Sequence, residues 1–302
     1  MQTGGRSEGR VEAWCLAFAV TVIWGASFVA TRIAVAEVPP LVLAFVRFAI
    51  ASAILAPWIR RDLARVHGDR AARRDLVWIG VTGVTMAFVF ENLGLARTTA
   101  SHGSLIVATT PLATAAVEAA VRRRLPSWRT IVGLAVALAG VVLLIGRPDA
   151  DGATAVGDLL MVCTVAVWVV YSFLVARVAA RHPVSTVTNV SILWGVVTLL
   201  PLAAGEAAVV GVRWPSAPAL VSIVFLGVMC SALAYLWWNR ALHVLGVTAV
   251  NSLIYAVPLV AVAAGVVVLG EPVTQNLVTG GLLIVGGVAL ANLRTTRRLP
   301  GG

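Results

Sequence analysis

There is no lysine in these 302 residues: all 23 basic side chains are arginine, set against 13 acidic ones. Charged residues of both signs make up only 12% of the chain, whereas 60% is hydrophobic. So little polar surface cannot cover so much apolar surface in water. That excludes a soluble globular domain and leaves an integral membrane protein whose main solvent is a lipid bilayer. The arginines gather between apolar runs, so the formal charge of +10 reads as basic loops at a membrane and not as a nucleic-acid surface. Cysteine is scarce as well. Cys15, Cys163 and Cys230 are odd in number and lie inside apolar runs, which indicates neither a disulfide framework nor a zinc site. With four histidines and no HExxH motif, GxSxG elbow or Cys/His cluster, an intramembrane enzyme is disfavoured, and no cofactor or metal is implied. The lack of a Walker-type phosphate loop argues against ATP-driven transport by this chain alone.

What is present is a succession of long apolar runs. A helix rises about 1.5 Å per residue, so about 20 apolar residues cross the hydrocarbon core. Ten runs qualify, near 12–35, 40–59, 76–96, 101–121, 128–146, 157–177, 185–204, 217–240, 247–269 and 274–293. The first follows ten polar residues and is longer than a signal-peptide core, so a retained span is expected. Positively charged loops stay on the cytoplasmic side. One set of loops holds 18 of the arginines, the alternate set holds four, and Arg47 lies within a span. Both termini are therefore expected in the cytoplasm.

The second half repeats the first. Residues 246–290 slid back by 147 fall without a gap on residues 99–143, with eight identities that include Pro111 under Pro258, Gly133 under Gly280 and Gly140 under Gly287. Proline and glycine control the backbone, so their coincidence carries more than the count. The polar connector at 147–157, RPDADGATAVG, divides two five-span units, 12–146 and 157–294. Because five is odd, the second unit enters the membrane from the opposite face. The expected fold class is an all-α integral membrane protein of ten transmembrane helices in two inverted five-helix repeats.

Trp24-Gly25-Ala26-Ser27, Pro39-Pro40, Arg47-Phe48, Pro111, and Gly270-Glu271-Pro272 followed by Gly280 and Gly287 resemble the EamA-type family of the drug/metabolite transporter superfamily. The resemblance covers nearly the whole chain, in two copies. One departure is that the first copy has Arg123-Arg124-Leu125 where the second has Gly270-Glu271-Pro272. The resemblance implies a ten-helix carrier of the bacterial-type cytoplasmic (inner) membrane. In most characterised members this is an exporter of amino acids, other metabolites or toxic compounds. It implies a secondary-active carrier of a small-molecule substrate by alternating access, against which a non-transporting structural or assembly protein stands as the alternative.

A charge deep in a bilayer is costly and normally faces the protein interior. Arg47 sits about 12 Å and Glu91 about 9 Å into their spans from the outer side. Arg47 is read either as attracting a substrate carboxylate or as the partner of Glu91 in a structural ion pair. Glu91 is read as a candidate for proton coupling. His102 and Asp158 begin spans, where capping or solvation accounts for them. Trp24 and Trp168 fall near span centres, although tryptophan normally collects at the interfaces, which implies a cavity or a packed interior. Tyr171, Asn189, Tyr235, Asn239, Asn251 and Tyr255 add polar tips between helices, and with Ser27 and Asn92 complete a candidate substrate pathway. Pro111 and Pro258 are expected as mid-span bends in equivalent helices, the paired irregularity that points to a transporter's centre. The seven-residue spacing of Gly133 with Gly140, and of Gly280 with Gly287, permits close helix packing, either within the chain or in a homodimer.

Overall fold

A computed structural model describes residues 4–121, 123, 127–145, 153–245 and 252–292, and all the described secondary structure is helical. Joining pieces that run on from one another gives α1 (Gly4–Val35), α2 (Pro40–Val66), α3 (Arg70–Leu95), α4 (Ala100–Val121), α5 (Trp128–Ile145), α6 (Ala155–Ala179), α7 (Val184–Val210), α8 (Ala217–Leu245), α9 (Ser252–Leu269) and α10 (Gln275–Asn292). Seven of these are long and apolar enough to cross a membrane, and α5, α9 and α10 are shorter apolar helices.

Local chemistry sets the helix ends. Pro40 starts α2 in the first turn, where a missing N–H costs nothing. Thr99 and Thr154 cap α4 and α6 by accepting from His102 N and Gly157 N. Gly270 ends α9 in the left-handed region, φ 65°, which explains why a glycine opens that turn. The next residue, Glu271, then reaches across the molecule: one oxygen accepts from Ala100 N and the other from Ser101 N and Oγ. Two further carboxylates do the same at this end, Glu206 at the α2 start (Leu41 N and Val42 N) and Glu37 at the α8 start (Ser216 N and Oγ). Each puts a negative charge on the positive end of a helix.

Packing exchanges the two halves of the chain. α5 lies against α10 and α2 against α7, while α1 packs on α8 and α9 as α6 packs on α3 and α4. The α5–α10 contact uses the predicted glycines within the chain: a Cβ on Gly133 or Gly287 would strike the other's carbonyl oxygen, one on Gly140 would strike Gly280 O, and one on Gly280 would crowd Leu144 and Gly140 O. Leu43 and Leu226 bury the α1–α2–α8 seam, and Phe48, Leu55 and Leu199 bury the α2–α3–α7 seam. The outside is apolar, with Val142, Val221, Val267 and Leu282 exposed, which suits hydrocarbon and not water. Trp128 and Trp214 stand exposed near helix ends, and Trp78 stands exposed in α3.

Several local expectations are corrected. α2 runs seven residues past its predicted end at 59 and α3 starts six before its predicted start at 76, because Asp69 caps α3 and the arginines of this stretch stay helical. The prolines do not bend continuous helices. α4 is interrupted after Val107 and resumes at Thr110, and α9 begins as a 3-10 turn, Ser252–Ala256, before its α-helix starts at Val257. Pro111 and Pro258 thus each stand in the first turn of a new helical piece, where proline fits. His102 and Asp158 are not solvated: they face each other across the α4–α6 contact, with His102 Nδ1 3.1 Å from Asp158 Oδ2, and Thr98 donates to the other oxygen.

Two π-helical segments went unpredicted, Val81–Met86 in α3 and Phe225–Leu233 in α8, and they occupy corresponding helices of the two halves. In α8 the Ala234 N–H reaches back five residues to Met229 O, passing over the Cys230 carbonyl that an α-helix would use.

Candidate functional site

A cavity of about 250 Å³ opens in the centre of the bundle. The first half contributes Trp24, Ser27 and Phe28 of α1, Arg47 of α2, Phe88 and Glu91 of α3, and the broken middle of α4 from Ser104 to Pro111. The second half contributes Thr164 and Trp168 of α6, Cys230 and Tyr235 of α8, and Ile254, Val257 and Pro258 of α9. The break in α4 and the 3-10 start of α9 therefore both lie on the wall. Discontinuous backbone at this depth is tolerated where it lines a cavity, and here Thr109 and Thr110 donate their hydroxyls to the carbonyls of Ile106 and Val107 at the break in α4.

The π segment of α8 holds two of the wall residues. Trp24 Nε1 donates to the bypassed Cys230 carbonyl at 3.3 Å, and Arg47 Nε donates to Ser231 Oγ at 3.1 Å. An indole and a guanidinium from two helices of one half are thus fixed by consecutive residues of the other. Trp24 also packs on Tyr235 and Trp238, with ring centroids 5.9 and 4.9 Å apart. The Arg47 guanidinium lies over the Phe88 ring at 4.6 Å and the Phe48 ring at 5.2 Å, and those rings meet edge to face. Arg47 is only 3% exposed, and its Nη1 has no hydrogen-bond partner among the described residues. Glu91, half-buried on the same wall, makes no side-chain hydrogen bond and no ion pair with Arg47 among the described residues.

Of the residues selected from the sequence, the structure gathers Trp24, Ser27, Arg47, Glu91, Trp168, Tyr235, Pro111 and Pro258 around this cavity. Asn92, Tyr171, Asn189 and Asn239 lie elsewhere. Asn92 is fully buried and donates to Pro40 O at 2.9 Å, tying α3 to the start of α2. Tyr171 packs tilted behind Trp168, 4.8 Å between centroids, against Gly83 of the α3 π segment. Asn189 donates to Asp62 Oδ2 at 2.8 Å near the arginine-rich end, and Asn239 is off the wall with a buried Nδ2 that lacks a partner among the described residues. Asn251 and the side chain of Tyr255 lie outside the described residues. Phe28, Phe88 and Thr164 were not selected, yet helical spacing marks them: each stands three or four residues from Trp24, Glu91 or Trp168.

Acidic groups at the arginine-rich end hold α2 and α3 to α6 and α7. Asp62 accepts from Arg65, Thr186 and Asn189, and Asp75 pairs with Arg74 and Arg177. Asp69, in the loop before α3, accepts from Ala72 N and His182 and pairs with Arg181. The Ala72 N–H bond first, then the His182 bond and the charges of Arg181 and His182, hold its carboxyl below the usual carboxylate value. At the opposite end, the bonds from Ser216 Oγ and then Ser216 N lower Glu37 in the same way.

The EamA-like transporter family matches residues 12–146 and 155–293. An uncharacterised transporter of Archaeoglobus fulgidus is 28% identical over 278 residues, covering 90% of this chain and 94% of that protein. A probable terminal-alkyne amino-acid exporter of Streptantibioticus cattleyicolor is 32% identical over 289 residues, covering 94% of each. A solved crystal structure superposes with a TM-score of 0.62 at 25% identity, covering 96% of this chain and all of that one.

Proposed function

The chain belongs to the EamA-like transporter family, and on that premise we propose that it is a secondary-active carrier exporting small organic metabolites, such as amino acids or related compounds, by alternating access. All ten helices cross a bacterial-type cytoplasmic membrane as two inverted repeats with both termini inside. The observation that carries this reading is the central cavity, whose wall draws on both halves and contains the broken middle of α4 and the 3-10 start of α9. Discontinuous helices in corresponding positions of two repeats are where secondary transporters bind their solute. The packing that maps each helix onto the one five places on supports the repeat, and the excess of arginine on one set of loops supports the sidedness. The name of the Streptantibioticus relative supports an amino-acid-like solute and outward movement.

Flux into and out of liposomes carrying the purified protein, followed across a broad panel of labelled metabolites, tests the carrier. Saturable movement of at least one solute class is expected, and no movement across the whole panel would overturn it. Glu91 is the residue we assign to coupling with the proton gradient. Glu91→Gln then abolishes export driven by a pH gradient while exchange at saturating solute persists; an unchanged pH dependence in that variant removes the assignment.

A further inference from the structure

Within that carrier reading, on which this inference rests, we propose that the cavity recognises a zwitterion at two points, Arg47 taking the carboxylate and Glu91 the ammonium of one small solute. Arg47 is a buried cation whose Nη1 lacks a partner among the described residues. Leaving a buried charged donor unsatisfied is costly, so the geometry around it implies an incoming acceptor. Glu91 stands on the same wall but makes no hydrogen bond or ion pair with Arg47 among the described residues. Instead Arg47 is tethered elsewhere: Ser231 Oγ accepts from its Nε, and Phe88 and Phe48 support its flat face. The tether fixes the guanidinium plane and leaves its Nη edge for a ligand, the geometry that suits a planar carboxylate.

The second charge narrows the class. A solute that is only anionic meets Arg47 favourably and is repelled by Glu91 in a poorly screened interior, and a solute that is only cationic meets the reverse. A neutral solute answers the two groups only with dipolar hydrogen bonds, about half as strong as charge-assisted ones. A molecule with separated opposite charges satisfies both. The rest of the wall is apolar or aromatic, with Trp24, Phe28, Trp168 and Tyr235 surrounding the charges, so it receives an apolar side chain. The volume of about 250 Å³ lies just below the roughly 300–1,000 Å³ common to ligand pockets, which fits a single amino acid and not a peptide.

The test measures binding to the detergent-purified protein by scintillation proximity with labelled phenylalanine, competed by phenethylamine, which lacks the carboxylate, and by 3-phenylpropanoate, which lacks the ammonium. Phenylalanine is expected to bind at least tenfold more tightly than either analogue. Arg47→Gln erases its advantage over phenethylamine, and Glu91→Gln erases its advantage over 3-phenylpropanoate. If either analogue rivals phenylalanine on the unsubstituted protein, or if phenylalanine and leucine both fail to bind at millimolar concentration, the proposal is overturned, and neither result depends on a variant folding. A variant that weakens all three ligands equally also overturns it, since that marks a purely structural role. Binding with the expected selectivity but no flux in liposomes overturns the carrier and leaves the recognition standing; flux of other solutes without zwitterion selectivity does the opposite.

Discussion

Asn189 is the residue whose chemistry is easiest to mistake. An amide inside a span needs a partner, and the sequence does not say whether that partner is a solute or another helix. Here it is Asp62, which also accepts from Thr186 and Arg65 and is 3% exposed. Asn189→Ala is therefore expected to lower stability by about 1–3 kcal/mol, the cost of leaving one buried acceptor short, while the KM for any transported solute stays the same. Thermal unfolding in detergent and liposome uptake check the two halves of that statement, and a raised KM would return Asn189 to the pathway. Arg47 and Glu91 were legible because charge at that depth needs a reason. That they do not pair with each other was not, since depth along two helices says nothing of the rotation of each. Ser231 was invisible for a related reason: a serine in an apolar run carries no signal until Arg47 is found beside it.

At the scale of elements, the apolar helices and their order could be read from apolar length, because the bilayer sets that length for a helix that crosses it. The π segments could not. They are held by tertiary contacts such as Thr85 Oγ1 to Gly195 O in α3 and Ser231 to Arg47 in α8, which have no local pattern. The glycines of α5 and α10 were legible as a packing face, and the structure supplies the partner. Gly287 and its neighbour Gly286 make a controlled comparison. A Cβ at Gly287 would strike Gly133 O, whereas one at Gly286 meets nothing within 4 Å. Gly287→Ala is expected to destabilise by about 1–3 kcal/mol through overpacking, and Gly286→Ala to be neutral or stabilising by up to about 1 kcal/mol through helix propensity. Melting curves of the two variants side by side decide it, and equal shifts would mean that α5 and α10 do not meet as described. Glu271→Gln offers a similar check on the α4 start. Three donors use its two oxygens, so the amide leaves at least one donor short and removes the charge from the helix end, for a loss of about 1–3 kcal/mol in the same assay.

For the whole molecule, carboxylates secure both ends of the bundle, and two of them lie in loops outside the spans. Asp69 and Glu37 have carboxyl pKa values lowered from ordinary values of 3.8 and 4.5 by the bonds they accept in the folded state. A lowered folded value means that the unfolded chain binds the proton first. Their contribution to stability is therefore fully present above about pH 4.5 and is lost as the pH falls through the lower folded values. The melting temperature is expected to decline below about pH 4.5, and Asp69→Asn and Glu37→Gln together should flatten that decline.

The proposed alternating access requires the two ends to separate one at a time, and Cys230 gives a native reporter that tests it. It is buried on the cavity wall, whereas Cys15 and Cys163 are exposed on the outer surface of the bundle. In a protein with Cys15 and Cys163 replaced by alanine, a charged, membrane-impermeant thiol reagent can reach Cys230 only through an open end. Asp69→Asn loosens the arginine-rich end, where Asp69 ties the start of α3 to Arg181 and His182. Glu271→Gln loosens the other, where Glu271 ties the α9–α10 turn to α4. Asp69→Asn is expected to speed labelling from the face carrying the arginine loops by several fold and to slow it from the opposite face, because one population grows at the other's expense. Glu271→Gln is expected to do the reverse. Oriented vesicles labelled from one side at a time read both rates. If either substitution raises labelling from both faces together, the cavity is a pore and the rocking of two halves is wrong.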